Sequence, residues 1–257
     1  MKTTIIEIEK IKPNNPIFIE GLPGIGLIGK IATEYLVSEL KAKKFAELYS
    51  PYFPHQALIG EDSSLRLVRD EFHYSKEKDI IFLTGDTQVS PTNSYGHYQI
   101  VHKILDFLEK YGVTKIYTLG GYSAKETEIE DPKVLASSTD HSTMEQFSDA
   151  DTHLIFRKDM GAAIVGAAGL LPTMGKMRNL EGVCLLGESS GDIIDPKAAK
   201  SVLKCLNKML KTDIDLEGLE KKIEENKEII KNLRRYQEKT EKEIKEKQRK
   251  RDMEYIR

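Results

Sequence analysis

The stretch IFIEGLPGIGLIGK, residues 17–30, joins a short apolar run to a glycine-rich turn and to the start of a helical pattern. An apolar run of strand length that leads into such a turn is typical of a buried parallel strand. Four further runs of this kind follow, at 80–83, 115–119, 154–156 and 183–186. Apolar residues with helical spacing lie between two of them at 101–108 and after the last of them at 202–210. This order predicts an α/β fold, a three-layer α/β/α domain with a mostly parallel sheet.

Composition narrows the class of protein. The chain has 257 residues, of which 39% are hydrophobic and 31% charged, which excludes a disordered chain and an integral membrane protein. The first residues show no basic segment followed by an apolar run, so we expect a cytoplasmic protein. The formal net charge of −2 gives no general reason to expect nucleic acid as a partner. Neither cysteine nor histidine spacing indicates a metal site, and none is expected.

The composition changes near residue 214. We therefore predict an α/β domain at 1–214 and a helical, coiled-coil-like extension at 215–257. Five apolar residues of the extension fall on a heptad seam, namely Leu216, Leu219, Ile223, Ile230 and Leu233. The last four are the expected contacts for oligomerisation. The segment fits either a solvated surface helix or a projecting helix that self-associates, and its length favours the second. Residues 234–257 carry a net charge of +4 and the remainder −6, and the basic end at 245–251 leaves a nucleic-acid-binding adaptor as a third class of function.

The glycine loop admits several interpretations. Gly24, Gly26 and Gly29 satisfy G-x-G-x-x-G between a strand and a helix, and Glu47 follows where a ribose-binding acid could lie. The same loop with Lys30 nearly satisfies a P-loop pattern, but Ile31 replaces the serine or threonine that binds Mg²⁺. A structural turn also requires glycine wherever a positive φ or close packing leaves no room for a Cβ. The loop alone does not decide between a cofactor site and a turn.

Two other motifs have catalytic precedents. Residues 187–191, GESSG, match G-x-S-x-G, but every histidine precedes Ser189, contrary to the chain order of an α/β-hydrolase. We therefore interpret Gly187 and Gly191 as parts of a turn at a strand end, followed by a helix with Asp195 as N-cap and Pro196 in the first turn. Asp86 follows a strand and could act as a base, but a turn or cap role is favoured because no second catalytic group accompanies it.

Taken together, five segments resemble the PAC2 family of proteasome assembly chaperones, specifically its archaeal members. They occur in family order from about residue 16 to residue 210: EGLPGIGLIGK at 20–30, TGDTQ at 84–88, YTLGGY at 117–122, GAAGLL at 166–171, and LGESSG at 186–191 with DPKAA at 195–199. The resemblance implies a Rossmann-like α/β/α scaffold with no catalytic step and no cofactor. It favours the structural interpretation of the glycine loop.

The resemblance also implies partners. Archaeal members form homo-oligomers, and some dock on α subunits of the 20S proteasome through a C-terminal hydrophobic-tyrosine-x tail. Here the tail residues are Tyr255, Ile256 and Arg257, so tyrosine lies one position earlier than in the family pattern. We expect a non-enzymatic chaperone or adaptor that associates with itself or with a paralogue, without a membrane or nucleic-acid partner. The alternative is a nucleotide- or dinucleotide-binding enzyme that uses Gly24, Gly26, Gly29 and Lys30.

Overall fold

The structure is a computed structural model that describes residues 1–60, 62–124, 129–140, 142–143, 154–155, 163–190 and 194–221. The chain divides into two units, Met1–Leu219 and Glu220–Arg257. The last residues of the first unit are tied to its α/β body: the Tyr35 hydroxyl donates to the Asp215 carbonyl at 2.8 Å, and the Asn207 side-chain amide donates to the Ile214 carbonyl at 2.8 Å.

The described residues form a mixed α/β fold with one large sheet. The strands are β1 (Thr4–Glu7), β2 (Ile17–Glu20), β3 (Lys43–Tyr49), β4 (Ala57–Ile59), β5 (Leu65–Leu67), β6 (Asp70–Ser75), β7 (Ile80–Gly85), β8 (Lys115–Ser123), β9 (Val134–Ser138), β10 (Leu154–Ile155) and β11 (Glu181–Ser189). The helices are α1 (Ile28–Glu39), α2 (Ser94–Glu109), α3 (Ala167–Lys176) and α4 (Pro196–Leu210), with a 3₁₀ turn at Ile25–Leu27.

The large sheet has nine strands in the order β1-β3-β6-β7-β2-β8-β11-β9-β10, and β4 pairs with β5 in a separate hairpin. The four central strands, β7, β2, β8 and β11, are parallel, as predicted. The prediction of a mostly parallel sheet is wrong at the flanks, where β1, β3 and β6 run antiparallel to their neighbours and β9 is antiparallel to β11. These flanking strands mix polar and apolar residues, so they lack the continuous apolar runs that identified the centre.

The helices pack in two pairs. α1 contacts α4, β7 and β8, whereas α2 contacts α3, which lies against β8 and β11. Buried residues of α2 and α3 share one core cluster with β-strand residues such as Phe18, Phe72 and Ile81. Buried residues of α1 and α4 lie outside that cluster. The predicted start of α4 is confirmed, because the Asp195 side chain accepts from the Ala198 N–H at 2.9 Å and Pro196 lies in the first turn.

Candidate functional site

Two glycines of the loop are required by packing. A Cβ added to Gly29 would lie 2.1 Å from the Leu119 carbonyl oxygen, and one added to Gly21 would lie 2.1 Å from the Gly29 carbonyl oxygen. Both obstacles are backbone atoms of central elements and cannot move aside as a flexible side chain would. These two glycines therefore allow β2, α1 and β8 to approach one another closely.

The other two glycines have different surroundings. Gly26 adopts φ +60°, a left-handed conformation that favours glycine, and its carbonyl accepts from the Asp195 N–H at 2.9 Å. Gly24 has extended backbone, and the nearest atom to a Cβ there would be Gln88 Nε2 at 3.8 Å. Gly26 thus links the loop to the start of α4, while Gly24 has room for a side chain.

Lys30, the candidate phosphate-binding lysine, points to the end of β7. It is buried, its Nζ donates to the Gly85 carbonyl at 2.8 Å, and it pairs with Glu34 one turn later in α1. An ammonium group with these two partners is committed to internal contacts. The loop and Lys30 come together as the sequence predicts, but the lysine is not presented to a ligand.

Gln88 follows β7 and lies at the carboxyl ends of the adjacent strands β2 and β7, where an open α/β sheet would have its binding crevice. In open α/β sheets, ligands bind beyond the carboxyl ends of strands where successive helices pass to opposite faces. Here Gln88 Nε2 donates to the Pro23 carbonyl at 2.7 Å, and Gln88 Oε1 accepts from the Ala167 N–H at 3.3 Å. The glutamine therefore connects the glycine loop to the start of α3 across the place where a ligand would enter.

Two buried carboxyl groups beside this crevice were missed by the sequence reasoning. Glu20 ends β2, and its Oε1 accepts from the Leu22 N–H at 3.0 Å, while Oε2 is buried without a hydrogen bond. Burial raises the pKa of Glu20 to about 8, and the Leu22 hydrogen bond opposes the rise. In the sequence, the buried acid is indicated by a glutamate at the end of an otherwise apolar strand.

Asp70 is the second buried carboxyl group. It begins β6 opposite Gly85, where an added Cβ would lie 1.9 Å from Asp70 Oδ1. Burial first, and then the charge of Asp86, raise the pKa of Asp70 well above its ordinary value, while Lys30 opposes the rise. Glu20, Lys30 and Asp70 therefore form a buried polar cluster beneath the crevice rather than an open site.

Asp86 has a structural partner of its own. Its two carboxylate oxygens accept from the Arg66 guanidinium at 2.5 and 2.9 Å, and Oδ2 also accepts from the Arg69 N–H at 3.0 Å. A bidentate pair of this kind fixes both side chains. Asp86 therefore holds the β4–β5 hairpin to the end of β7, which removes the reason to treat it as a general base.

Two further sequence expectations are corrected. Glu47, the candidate ribose acid, lies in β3, separated from β2 by β6 and β7, and its carboxylate pairs with Lys44 and Arg69 at 2.7 and 3.0 Å. The turn predicted at Gly187 is wrong, because β11 continues to Ser189, and Ser189 is buried in the strand. A strand residue of this kind lacks the exposed, strained turn of a nucleophile elbow.

The family model of PAC2 matches residues 18–234 of the chain. The chain belongs to the PAC2 family. The crystal structure of Pyrococcus furiosus PbaB, an archaeal proteasome activator, superposes with a TM-score of 0.82 at 48% identity, covering 91% of this chain and 99% of PbaB. Pyrococcus furiosus PbaA, an archaeal homolog of proteasome-assembly chaperone, gives a TM-score of 0.74 at 27% identity, with coverage of 93% and 98%. An uncharacterized protein of Methanocaldococcus jannaschii is 36% identical over 90% of this chain and 88% of its own length.

Several predicted site residues of this PAC2 protein lie outside the described residues. They are the seam residues Ile223, Ile230 and Leu233 and the tail residues Tyr255, Ile256 and Arg257. Leu219, the first of the expected oligomerisation residues, is described and is buried. Its side chain is thus already covered within the single chain.

Within the described ranges, no group of three or more His, Cys, Asp or Glu side chains is arranged to hold a metal ion. None of the helices in those ranges is long and apolar enough to span a bilayer.

Proposed function

We propose that this PAC2 protein is a cytoplasmic, non-enzymatic proteasome assembly chaperone or proteasome-binding adaptor. The observation that carries the proposal is the match to PbaB, described as an archaeal proteasome activator, at 48% identity over nearly the whole of both chains. The match to PbaA, described as a homolog of proteasome-assembly chaperone, supports the same class of function.

The hydrogen bonds at the carboxyl ends of β2 and β7 support a scaffold role. Lys30 bonds to the Gly85 carbonyl and Gln88 bonds to the Pro23 carbonyl, so the polar groups at the carboxyl ends of β2 and β7 serve the fold. A nucleotide would have to displace both contacts. We extend the proposal to the domain's form, a three-layer, Rossmann-like arrangement, because the two helix pairs belong to different parts of the core.

The proposed contacts with partners lie in the C-terminal extension. Ile223, Ile230 and Leu233, continuing from Leu219, would bring together copies of this chain or of a paralogue. Tyr255, Ile256 and the terminal carboxylate of Arg257 would engage α subunits of the 20S ring. A free carboxylate can pair with a lysine of a pocket while the neighbouring aromatic ring is buried.

Deleting residues 255–257 is expected to abolish co-elution with purified 20S particles in size-exclusion chromatography, because both the aromatic ring and the native carboxylate are lost. Arg257→Ala is the matched control: it keeps the terminal carboxylate and the tyrosine, and should still co-elute. The oligomeric state of the unbound protein should be the same for the native chain, the truncated chain and Arg257→Ala. Undiminished binding by the truncated chain would rule out docking through the tail.

The enzyme alternative makes an opposite prediction for ligand binding. A ligand at 100 times its dissociation constant stabilises a protein by about 2.7 kcal/mol, which corresponds to roughly 5–11 °C in melting temperature for a domain of this size. We expect NAD, NADP, ATP and GDP each to shift the melting temperature by less than about 1 °C, because Lys30 is already committed to Gly85 and Glu34. A rise of several degrees with any of them would favour the enzyme.

A further inference from the structure

Helix α4 carries a row of lysines along one side. Five lysines follow one another at spacings of three or four residues, from the first turn to the residue that ends the helix: Lys197, Lys200, Lys204, Lys208 and Lys211. The four within the helix fall in a sector of about 80°, because each residue advances by about 100°. Lys200 is partly buried and the other four are exposed. We call these five residues the lysine row.

The stability of α4 does not account for the lysine row. A positive charge near the start of a helix opposes the helix dipole, and like charges three or four residues apart repel one another. Lys197 lies in the first turn, where α4 has no acidic residue, and only Lys208 lies in the last turn, where the dipole favours a cation. The row therefore weakens the helix that carries it, which indicates a role outside the fold.

The charge of the lysine row contrasts with that of the rest of the domain. Residues 196–211 carry a net charge of +5, whereas the other residues of 1–233 hold 24 Lys and Arg against 35 Asp and Glu and carry −11. Within the described ranges, no carboxylate pairs with Lys197, Lys204 or Lys211. An acidic partner is thus attracted to this row and repelled by the surrounding surface, which fixes where it binds.

The C-terminal half of the lysine row borders a cavity of about 590 Å³. Its lining includes Lys204, Lys208 and Lys211, together with the carboxylates of Asp131 and Asp213. The lysines of such a recess can donate to carboxylates of a ligand, and the aspartates can accept from its N–H groups. A peptide rich in Asp or Glu carries both kinds of group.

We propose that the lysine row binds an extended acidic segment of another protein. From Lys197 to Lys211 the row is about 21 Å long, which about six or seven residues of extended chain would span. A lysine ammonium is a compact charge on a flexible stem, so it can follow carboxylates whose positions vary along such a segment. This surface goes beyond the proposed function, because it requires neither the C-terminal tail nor the 20S ring.

Two other kinds of polyanion fit the lysine row less well. A basic amphipathic helix binds a membrane by inserting its apolar side, but in α4 that side is buried in the domain, as at Val202, Leu203 and Leu206. Nucleic-acid surfaces combine lysine with arginine forks and with aromatic rings that stack on bases. α4 contains neither arginine nor an aromatic residue, and Asp131 and Asp213 beside the row would repel the phosphates.

Fluorescence anisotropy of the full chain with a fluorescein-labelled peptide of eight glutamates tests the proposal. We expect saturable binding that weakens as the salt concentration rises from about 50 to 300 mM. Replacing Lys197, Lys204 and Lys211 together with glutamine should lower the affinity about tenfold or more, since three ion pairs are lost. The melting temperature of this triple variant should not fall, because repulsion within α4 is reduced.

The matched control is a chain with Lys10→Gln, Lys41→Gln and Lys76→Gln. These lysines are exposed, the net charge changes by the same amount, and Lys41 has a positive φ, as Lys211 does. The control should bind the peptide as the native chain does. The basic end at 245–251 is present in every chain, so equal affinity of the native chain and the lysine-row variant would overturn the proposal. Tighter binding of a labelled oligothymidylate or of phosphatidylserine vesicles than of the peptide would also overturn it, as would a native chain that does not bind the peptide.

Discussion

Replacing Gly29 with alanine is expected to destabilise the domain by about 3 kcal/mol or more, at the upper end of what overpacking costs. The new Cβ would lie 2.1 Å from the Leu119 carbonyl oxygen and 3.3 Å from the Gly21 Cα. Leu119 lies in β8 and Gly21 directly follows β2. Relief of the clash therefore requires α1 to move away from β8. For a domain of this size the loss corresponds to a melting temperature lower by roughly 6–12 °C.

Gly24→Ala is the matched control within the same motif. The backbone at Gly24 is extended, and the nearest atom to its Cβ would be Gln88 Nε2 at 3.8 Å. Its effect on the free energy of unfolding should stay within about 0.5 kcal/mol. Thermal and urea unfolding of both variants would measure the contrast. Equal effects of the two substitutions would contradict the packing role assigned to Gly29.

The glycine loop shows why spacing alone could not settle its function. The pattern G-x-G-x-x-G shows only which positions lack a side chain. A cofactor-binding loop and a tightly packed turn both require glycine at such positions. The groups that decide between them, the Leu119 carbonyl and the Gln88 side chain, come from distant parts of the chain. Only the fold brings them to the loop.

The central strands and the start of α4 were predictable because their signals are local. A continuous apolar run such as 80–83 indicates a strand that is buried on both faces of a sheet. Asp195 followed by Pro196 indicates the start of a helix within two residues. The flanking strands were not predictable in this way. β6 mixes polar and apolar residues, and one of its two partners, β3, is distant along the chain.

Partners of charged residues were the least predictable feature. Arg66 and Asp86 are twenty residues apart, and Lys30 reaches the carbonyl of Gly85. Nothing in the local sequence distinguishes these internal pairings from a charge available to a ligand. The local sequence likewise does not show that Glu20 is buried, because its burial follows from its place at the end of a central strand.

Replacing Glu20 with glutamine is expected to stabilise the protein at alkaline pH. The pKa of Glu20 in the folded protein, about 8, lies above its unfolded value of 4.5. The unfolded chain therefore loses this proton first, and ionisation lowers the stability of the fold as pH rises from about 4.5 to 8. Each unit of pKa difference is worth about 1.4 kcal/mol, so the native penalty at pH 8 is on the order of 3–5 kcal/mol.

Glutamine removes this penalty and keeps a carbonyl oxygen to accept from the Leu22 N–H. It also removes a charge that raises the pKa of Asp70. Urea unfolding should therefore show a gain of several kcal/mol for Glu20→Gln at pH 8 and a gain below about 1 kcal/mol at pH 5. Glu77→Gln, at a glutamate whose side chain is exposed, should change stability little at either pH. A gain of equal size at both pH values, or a loss at pH 8, would show that Glu20 is not held in the fold as a neutral acid.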